Sequence, residues 1–117
     1  MVVDDEVAIR DLMRAILSHS GYQVDQFTNG SEAWSAFSAQ PDNWSLLITD
    51  QTMPKMTGAD LAVKALHLRP QLPIILCTGY SEQISVEQAH ALGIRAYLHK
   101  PISLNELLAA VHQCLDT

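Results

Sequence analysis

Apolar residues along this chain follow two alternating spacings. Short unbroken runs read as buried strands: Met1-Val2-Val3, Leu46-Leu47-Ile48, Ile74-Ile75-Leu76-Cys77 behind Pro73, and Ala96-Tyr97-Leu98. Between them the spacing becomes helical. Ile9, Leu12, Met13, Ile16 and Leu17 form the stripe of a first helix, which Gly21 stops. Residues Tyr22 to Phe27 alternate, with Tyr22, Val24 and Gln26 on one face, and predict a less buried second strand. Asn29-Gly30 is a turn; Ser31 is expected to cap a short helix carrying Ala33, Trp34 and Phe37, which Pro41 ends. The segment from Gln51 to Gly58 contains Pro54 and predicts a shaped turn. A third helix then runs from about Ala59 to Leu68, with Leu61, Ala62, Ala65 and Leu66 inward. Ser85 and Gln88 have the spacing of a capping box for a fourth helix that ends at Gly93. Ser103 and Glu106 repeat it for a fifth, whose stripe is Leu104, Leu107, Leu108, Val111 and Leu115.

Strand and helix therefore alternate five times, which implies an α/β domain with a parallel sheet and right-handed crossovers. Helices on both faces of the sheet account for strands that are nearly all apolar. The first strand is short. Parallel strands usually run about five or six residues, so we expect the first residues of this one to be missing and the chain, residues 1–117, to be a single domain cut from a longer polypeptide.

Composition narrows the function. A net charge of −6, from 13 acidic and 7 basic residues, opposes direct binding to nucleic acid, which needs a basic patch. The absence of a lysine or arginine run likewise opposes a direct membrane contact, and no apolar run approaches the roughly 20 residues that span a bilayer. Cys77 and Cys114 read as two buried thiols, which fits a reducing, cytoplasmic setting. His19, His67, His90, His99 and His112 lack metal-ligand spacing and read as ordinary surface or partly buried residues.

Each of the four apolar runs ends in a polar group: Asp4-Asp5, Asp50, Thr78 and Lys100. In an open parallel sheet those ends share the edge where ligands bind. Taken singly, each has an ordinary explanation as a helix cap, a turn residue or a surface lysine. Together, three carboxylates in one small volume call for protonation or a cation, and Mg²⁺ is the natural choice for a few carboxylates plus water. An aspartate carboxylate is also a competent nucleophile toward phosphorus. Phosphoryl transfer depends mainly on positioning and charge neutralisation. Lys100 and Thr78 could supply an ammonium and a hydroxyl to the phosphoryl oxygens.

The segments Val2-Val3-Asp4-Asp5-Glu6, Leu47 to Gly58, Ile75-Leu76-Cys77-Thr78-Gly79 and Tyr97-Leu98-His99-Lys100-Pro101 together resemble a response-regulator receiver domain of two-component signalling, over essentially the whole chain. Thr49 to Pro54 and Cys77 to Ser81 look most like receivers attached to hybrid sensor histidine kinases. The resemblance implies a flavodoxin-like (βα)5 fold, a three-layer α/β/α sandwich with strand order 2-1-3-4-5. It implies Asp50 as phosphoacceptor and Mg²⁺ on Asp5, Asp50 and the backbone carbonyl of Thr52, with Asp4 acting through water. Lys100, before a cis bond to Pro101, would contact the phosphoryl group. Thr78 and Tyr97 would be the switch pair, with Tyr97 on the face opposite Lys100, while the side chains of Thr52 and Tyr80 flank the site and tune the lifetime.

The implied partners are a histidine kinase or a histidine phosphotransfer domain, with a phosphorylation-dependent dimer as a further expectation. Such domains catalyse their own phosphorylation and dephosphorylation. Two other readings stand beside this one. A pseudo-receiver would bind partners without phosphorylation, against which the intact Asp4, Asp5, Asp50, Thr78 and Lys100 argue. A haloacid-dehalogenase-type phosphatase would need an aspartate at position 52, where this chain has Thr52.

Overall fold

The computed structural model describes residues 1–79 and 84–115. Its strands are β1 (Val2–Val3), β2 (Gln26–Phe27), β3 (Leu47–Asp50), β4 (Ile74–Thr78) and β5 (Ala96–His99). They alternate with α1 (Val7–His19), α2 (Gly30–Ala39), α3 (Gly58–Leu68), α4 (Val86–Leu92) and α5 (Leu104–Leu115). All neighbours in the sheet pair in parallel, in the order β2-β1-β3-β4-β5. This is the expected flavodoxin-like sandwich.

The period-two pleat divides the core between the two faces. Val3, Leu47, Ile74, Leu76 and Tyr97 point one way and pack with Ala33, Phe37, Leu61, Ala65 and Ala89 of α2, α3 and α4. Val2, Ile48, Ile75, Cys77 and Leu98 point the other way, onto Met13 and Leu17 of α1 and Leu107 and Val111 of α5. Both cysteines are buried thiols. No described helix is long and apolar enough to cross a membrane.

Several local expectations need correction. Regular pairing in β2 is confined to Gln26 and Phe27, because β1 offers only Val2 and Val3 as ladder partners; Tyr22 and Val24 still pack against the α1–α5 face. Asn29, not Ser31, caps α2: its side-chain oxygen accepts the Glu32 N–H at 2.8 Å. Leu12 and Leu104 are 48% and 52% exposed. Of the expected α1 stripe, Met13 and Leu17 are the buried members, and α5 also turns Ala110 and Cys114 inward beside Leu107 and Val111. At α5 the Glu106 N–H donates to the Ser103 hydroxyl at 3.0 Å, one half of the expected box. Gly21 follows α1 with φ of 95°, a left-handed conformation that favours glycine, and Ser85 and Gln88 form the full capping box of α4.

The link from β3 to α3 positions the site most directly. Thr57 and Asp60 form a capping box that starts α3. The Gly58 N–H donates to the Gln51 carbonyl at 3.0 Å, which folds the loop back on itself. A Cβ at Gly58 would lie 2.3 Å from the Asp50 carbonyl oxygen and 2.8 Å from Leu76 Cδ1. Only glycine lets α3 start so close to the end of β3. Gly58→Ala should therefore cost about 1–3 kcal/mol, measured by urea denaturation. A loss within about 0.5 kcal/mol, typical of a surface substitution, would show that the loop yields freely.

Candidate functional site

Parallel register carries the polar strand ends to one edge. Val3 pairs with Thr49, which sets Asp4 beside Asp50; Asp50 pairs with Cys77, and Thr78 with His99, next to Lys100. Asp4 and Asp50 are only 0% and 2% exposed, while Asp5 lies on the exposed rim. The Glu6 N–H donates to Asp4 Oδ1 at 2.9 Å. Asp4 Oδ2 and Asp50 Oδ1 have no well-directed hydrogen bond among the described residues. They face the Lys100 Nζ at 3.4 and 3.0 Å, and Glu6 Oε1 stands 3.5 Å from the same ammonium.

One cation thus serves several anions around two buried carboxylates, and the proton affinities reflect both the burial and the charges. Burial pushes the Asp50 carboxyl up to about 6 from an ordinary 3.8; Lys100 pulls it down, and Asp4 and Asp5 add to the rise. Asp4 is also raised, chiefly by burial, against the opposing pull of the Glu6 N–H and Lys100. Burial disfavours the Lys100 ammonium, but Asp50, Asp4 and Glu6 outweigh it and hold the group above the ordinary lysine value.

One oxygen each from Asp4, Asp5 and Asp50 lies within 4.8 Å of the other two. Buried carboxylate oxygens that share a single ammonium among the described residues, an excess of negative charge and an all-oxygen donor set fit a hard divalent cation such as Mg²⁺. A cleft of about 390 Å³, lined by Asp5, Thr28, Asn29, Ser31, Pro54 and Lys55, opens beside the acids. A larger one of about 450 Å³ lies at the opposite edge of the sheet, among residues such as Tyr22, Trp44 and Leu115, away from this chemistry.

The remaining expected residues take distinct positions. Thr78 is fully buried, and its hydroxyl has no partner among the described residues. The Thr78 carbonyl accepts the Lys100 N–H at 2.7 Å, and the Lys100–Pro101 bond is cis, as expected. Tyr97 is half-buried on the α2–α4 face, and its hydroxyl donates to the Ile84 carbonyl at 2.7 Å, just before α4. Thr52 is exposed in the loop after β3. Tyr80 lies outside the described residues. All five histidines are exposed.

Sequence reasoning missed three supporting residues. Glu6 shares Lys100 with the aspartates; its signal was a third acid in a row. Gln51 clasps the loop, its side-chain oxygen accepting the Ala59 N–H at 2.8 Å and its own N–H donating to the Cys77 carbonyl at 2.9 Å. Arg10 donates to the Asp4 carbonyl at 2.9 Å. Neither Gln51 nor Arg10 belongs to a pattern that spacing alone would single out.

Comparison with known proteins agrees with this fold. The family model of the response regulator receiver domain matches residues 1–112. The DNA-binding transcriptional regulator NtrC of Azospirillum brasilense is 34% identical over 118 residues, covering 100% of this chain and 24% of the relative. The chain thus spans about a quarter of the length of its NtrC relatives. The response regulator receiver protein CpdR of Brucella abortus (strain 2308) is 30% identical over 115 residues, covering 98% of this chain and 94% of the relative. Among solved structures, a response regulator receiver domain protein from Clostridium thermocellum superposes with a TM-score of 0.92 at 26% identity, covering 98% of this chain and 91% of that one. The receiver domain of NtrX from Brucella abortus gives 0.85 at 26% identity, covering 99% and 97%.

The Asp50 shift has a signed consequence. Its folded-state pKa, about 6, exceeds the ordinary 3.8. Between those values the folded state binds the extra proton, so without divalent metal this group's contribution to stability falls as pH rises from about 4 through 6. Asp50→Asn, always neutral, should be about 1–3 kcal/mol more stable than wild type at pH 7 in EDTA and nearly equal to it at pH 4. Paired urea melts check this, and a gap that does not widen with pH would contradict the assignment.

Proposed function

The chain belongs to the response-regulator receiver family, and from that premise we propose that Asp50 accepts a phosphoryl group from a phosphohistidine and thereby switches a partner-binding surface. The observation that carries the proposal is a buried Asp50 oxygen 3.0 Å from the Lys100 ammonium, within one cation's reach of Asp4 and Asp5.

Receiver domains generally bind Mg²⁺ at an acidic pocket. Here Asp5, Asp50 and the Thr52 carbonyl would hold the ion, with Asp4 acting through water, and the ion would supply positive charge to a phosphoryl oxygen. An Asp50 carboxylate oxygen attacks phosphorus, the P–N bond breaks, and the imidazole nitrogen leaves with the electron pair and takes up a proton. Lys100, ionised and already beside Asp50, stabilises the negative charge gathered on the phosphoryl oxygens. The buried Thr78 hydroxyl, without a partner among the described residues, is a ready donor to another of them.

Readout follows from the sidedness of the sheet. Thr78 has the same strand parity as Ile74 and Leu76, so it lies on the face that carries Tyr97. Drawing Thr78 toward a phosphoryl group frees space on that face for Tyr97. Inward movement of Tyr97 breaks its bond to the Ile84 carbonyl and so changes the start of α4. The surface formed by α4, β5 and α5 then favours a second arrangement, a local charge event biasing a two-state element.

The donor is a histidine kinase or a histidine phosphotransfer domain, and the setting is cytoplasmic, in keeping with two buried thiols. Intact-mass measurement with Mg²⁺ and a small-molecule acyl phosphate tests the chemistry. One phosphoryl group should be gained by the wild type, none by Asp50→Asn and none in EDTA. An unchanged wild-type mass with Mg²⁺ bound would overturn phosphoacceptance in favour of a binding-only module. Rapid multiple turnover of phosphate esters would point to a phosphatase.

A further inference from the structure

The end of β1 carries two of the three acids on very little ladder. β1 pairs with each neighbour only through Val2 and Val3, so Asp4 and Asp5 run past the regular hydrogen bonding. Something else must hold them. The Asp4 N–H donates to the Phe27 carbonyl at 3.2 Å, which ties one side of the residue to β2.

The other side is tied by Arg10. This residue lies one turn into α1, and its side chain folds back over the strand end. Nη1 donates to the Asp4 carbonyl at 2.9 Å, and Nε donates to the Gln26 side-chain oxygen at 3.3 Å. The planar guanidinium presents its donors in a fixed fork, so two bonds to two elements set its position and tilt. Both acceptors are uncharged. Arg10 therefore braces the acidic pocket while the carboxylates stay available to Lys100 and to a cation.

The Asp4 carbonyl is part of the peptide unit joining Asp4 to Asp5. The six atoms of that unit are coplanar and move together. A bond that fixes the carbonyl also fixes the direction in which the chain leaves for the Asp5 Cα. Asp5 is the exposed member of the acidic trio, and its aim depends most on the backbone that carries it.

We infer that Arg10 is a positioning residue for divalent-cation binding: braced by Gln26, it holds the Asp4–Asp5 peptide so that the Asp5 carboxylate meets those of Asp4 and Asp50. This rests on the proposed Mg²⁺ site. Outer-shell partners of metal ligands typically change affinity by about 10- to 100-fold when removed; Arg10 acts one step further back, on the peptide that carries Asp5.

The test is a calorimetric Mg²⁺ titration of wild type, Arg10→Ala, Arg10→Lys, Asp5→Asn and the Asp5→Asn/Arg10→Ala double variant at neutral pH, with a metal-free urea melt of each to confirm folding. Arg10→Ala should weaken Mg²⁺ binding about tenfold. Arg10→Lys should recover part of that loss, because one ammonium can reach the Asp4 carbonyl but cannot brace against Gln26 as a fork does. In the Asp5→Asn background Arg10→Ala should add little, because Arg10 acts through Asp5. A folded Arg10→Ala with wild-type affinity would overturn the inference, as would losses that add in full in the double variant. If Arg10→Ala does not fold, Arg10→Lys decides, and wild-type affinity there sinks the two-point brace. A wild type that takes up no Mg²⁺ would show instead that the site reading itself had failed, and the role of Arg10 with it.

Discussion

The contact between Lys100 and the buried aspartates is the constraint on which the rest of this structure depends. A parallel five-stranded sheet brings its strand ends to one edge, and in this chain those ends include two almost fully buried carboxylates and a third at the rim. Buried like charges are costly unless something offsets them. Lys100, 3.0 Å from Asp50 and 3.4 Å from Asp4, offsets part of that charge and leaves a remainder. Burial pushes the Asp50 carboxyl up to about 6, Asp4 and Asp5 add to the rise, and the shared ammonium offsets only part of it. A site left in that condition favours any added positive charge, which is the condition a divalent cation and then a phosphoryl group can exploit.

The supporting elements make sense as ways of holding that unfavourable cluster still. Gly58 allows α3 to begin against the Asp50 carbonyl, and Gln51 clasps the intervening loop. Arg10 and Phe27 hold the two sides of the Asp4 backbone. On the readout side the hold is looser. Tyr97 is half-buried and fastened through one hydroxyl to the Ile84 carbonyl, and the Thr78 hydroxyl beside it has no partner among the described residues. In the proposed switch, the fixed acids would bind without moving and the Thr78–Tyr97 face would move in response.

The sequence carried different parts of this picture to different degrees. The five alternations, the two-sided core and the polar strand ends were legible because each rests on a simple period: two for the strands, 3.6 for the helices. Leu12 and Leu104 were read as buried because a stripe does not say where a helix rotates relative to its sheet; Met13 and Leu17 of the same stripe are buried, and in α5 the small Ala110 faces inward. Ser31 was preferred as a cap although Asn29, two residues earlier, has an equally good acceptor, and only the backbone decides between them. Asp4, Asp5, Asp50 and Lys100 were found because charge at the end of an apolar run is conspicuous. Arg10 and Gln51 were not, because they act on backbone carbonyls and N–H groups, which leave no trace in a pattern of side chains. The expectation of a hybrid-kinase parent rested on loop residues around Thr52 and Tyr80 rather than on the groups that shape the fold, so the fold does not bear on it.

Carboxyl-carbon NMR titration of Asp4 and Asp50 in EDTA, for wild type and for Lys100→Met, tests the central electrostatic claim most directly. The account predicts that Asp50 titrates near 6 in the wild type and higher once the ammonium is gone, with Asp4 moving in the same direction. An Asp50 that titrates near 3.8 in both proteins would mean that the strand ends do not confine their charges in a shared, buried site, and the account would be wrong.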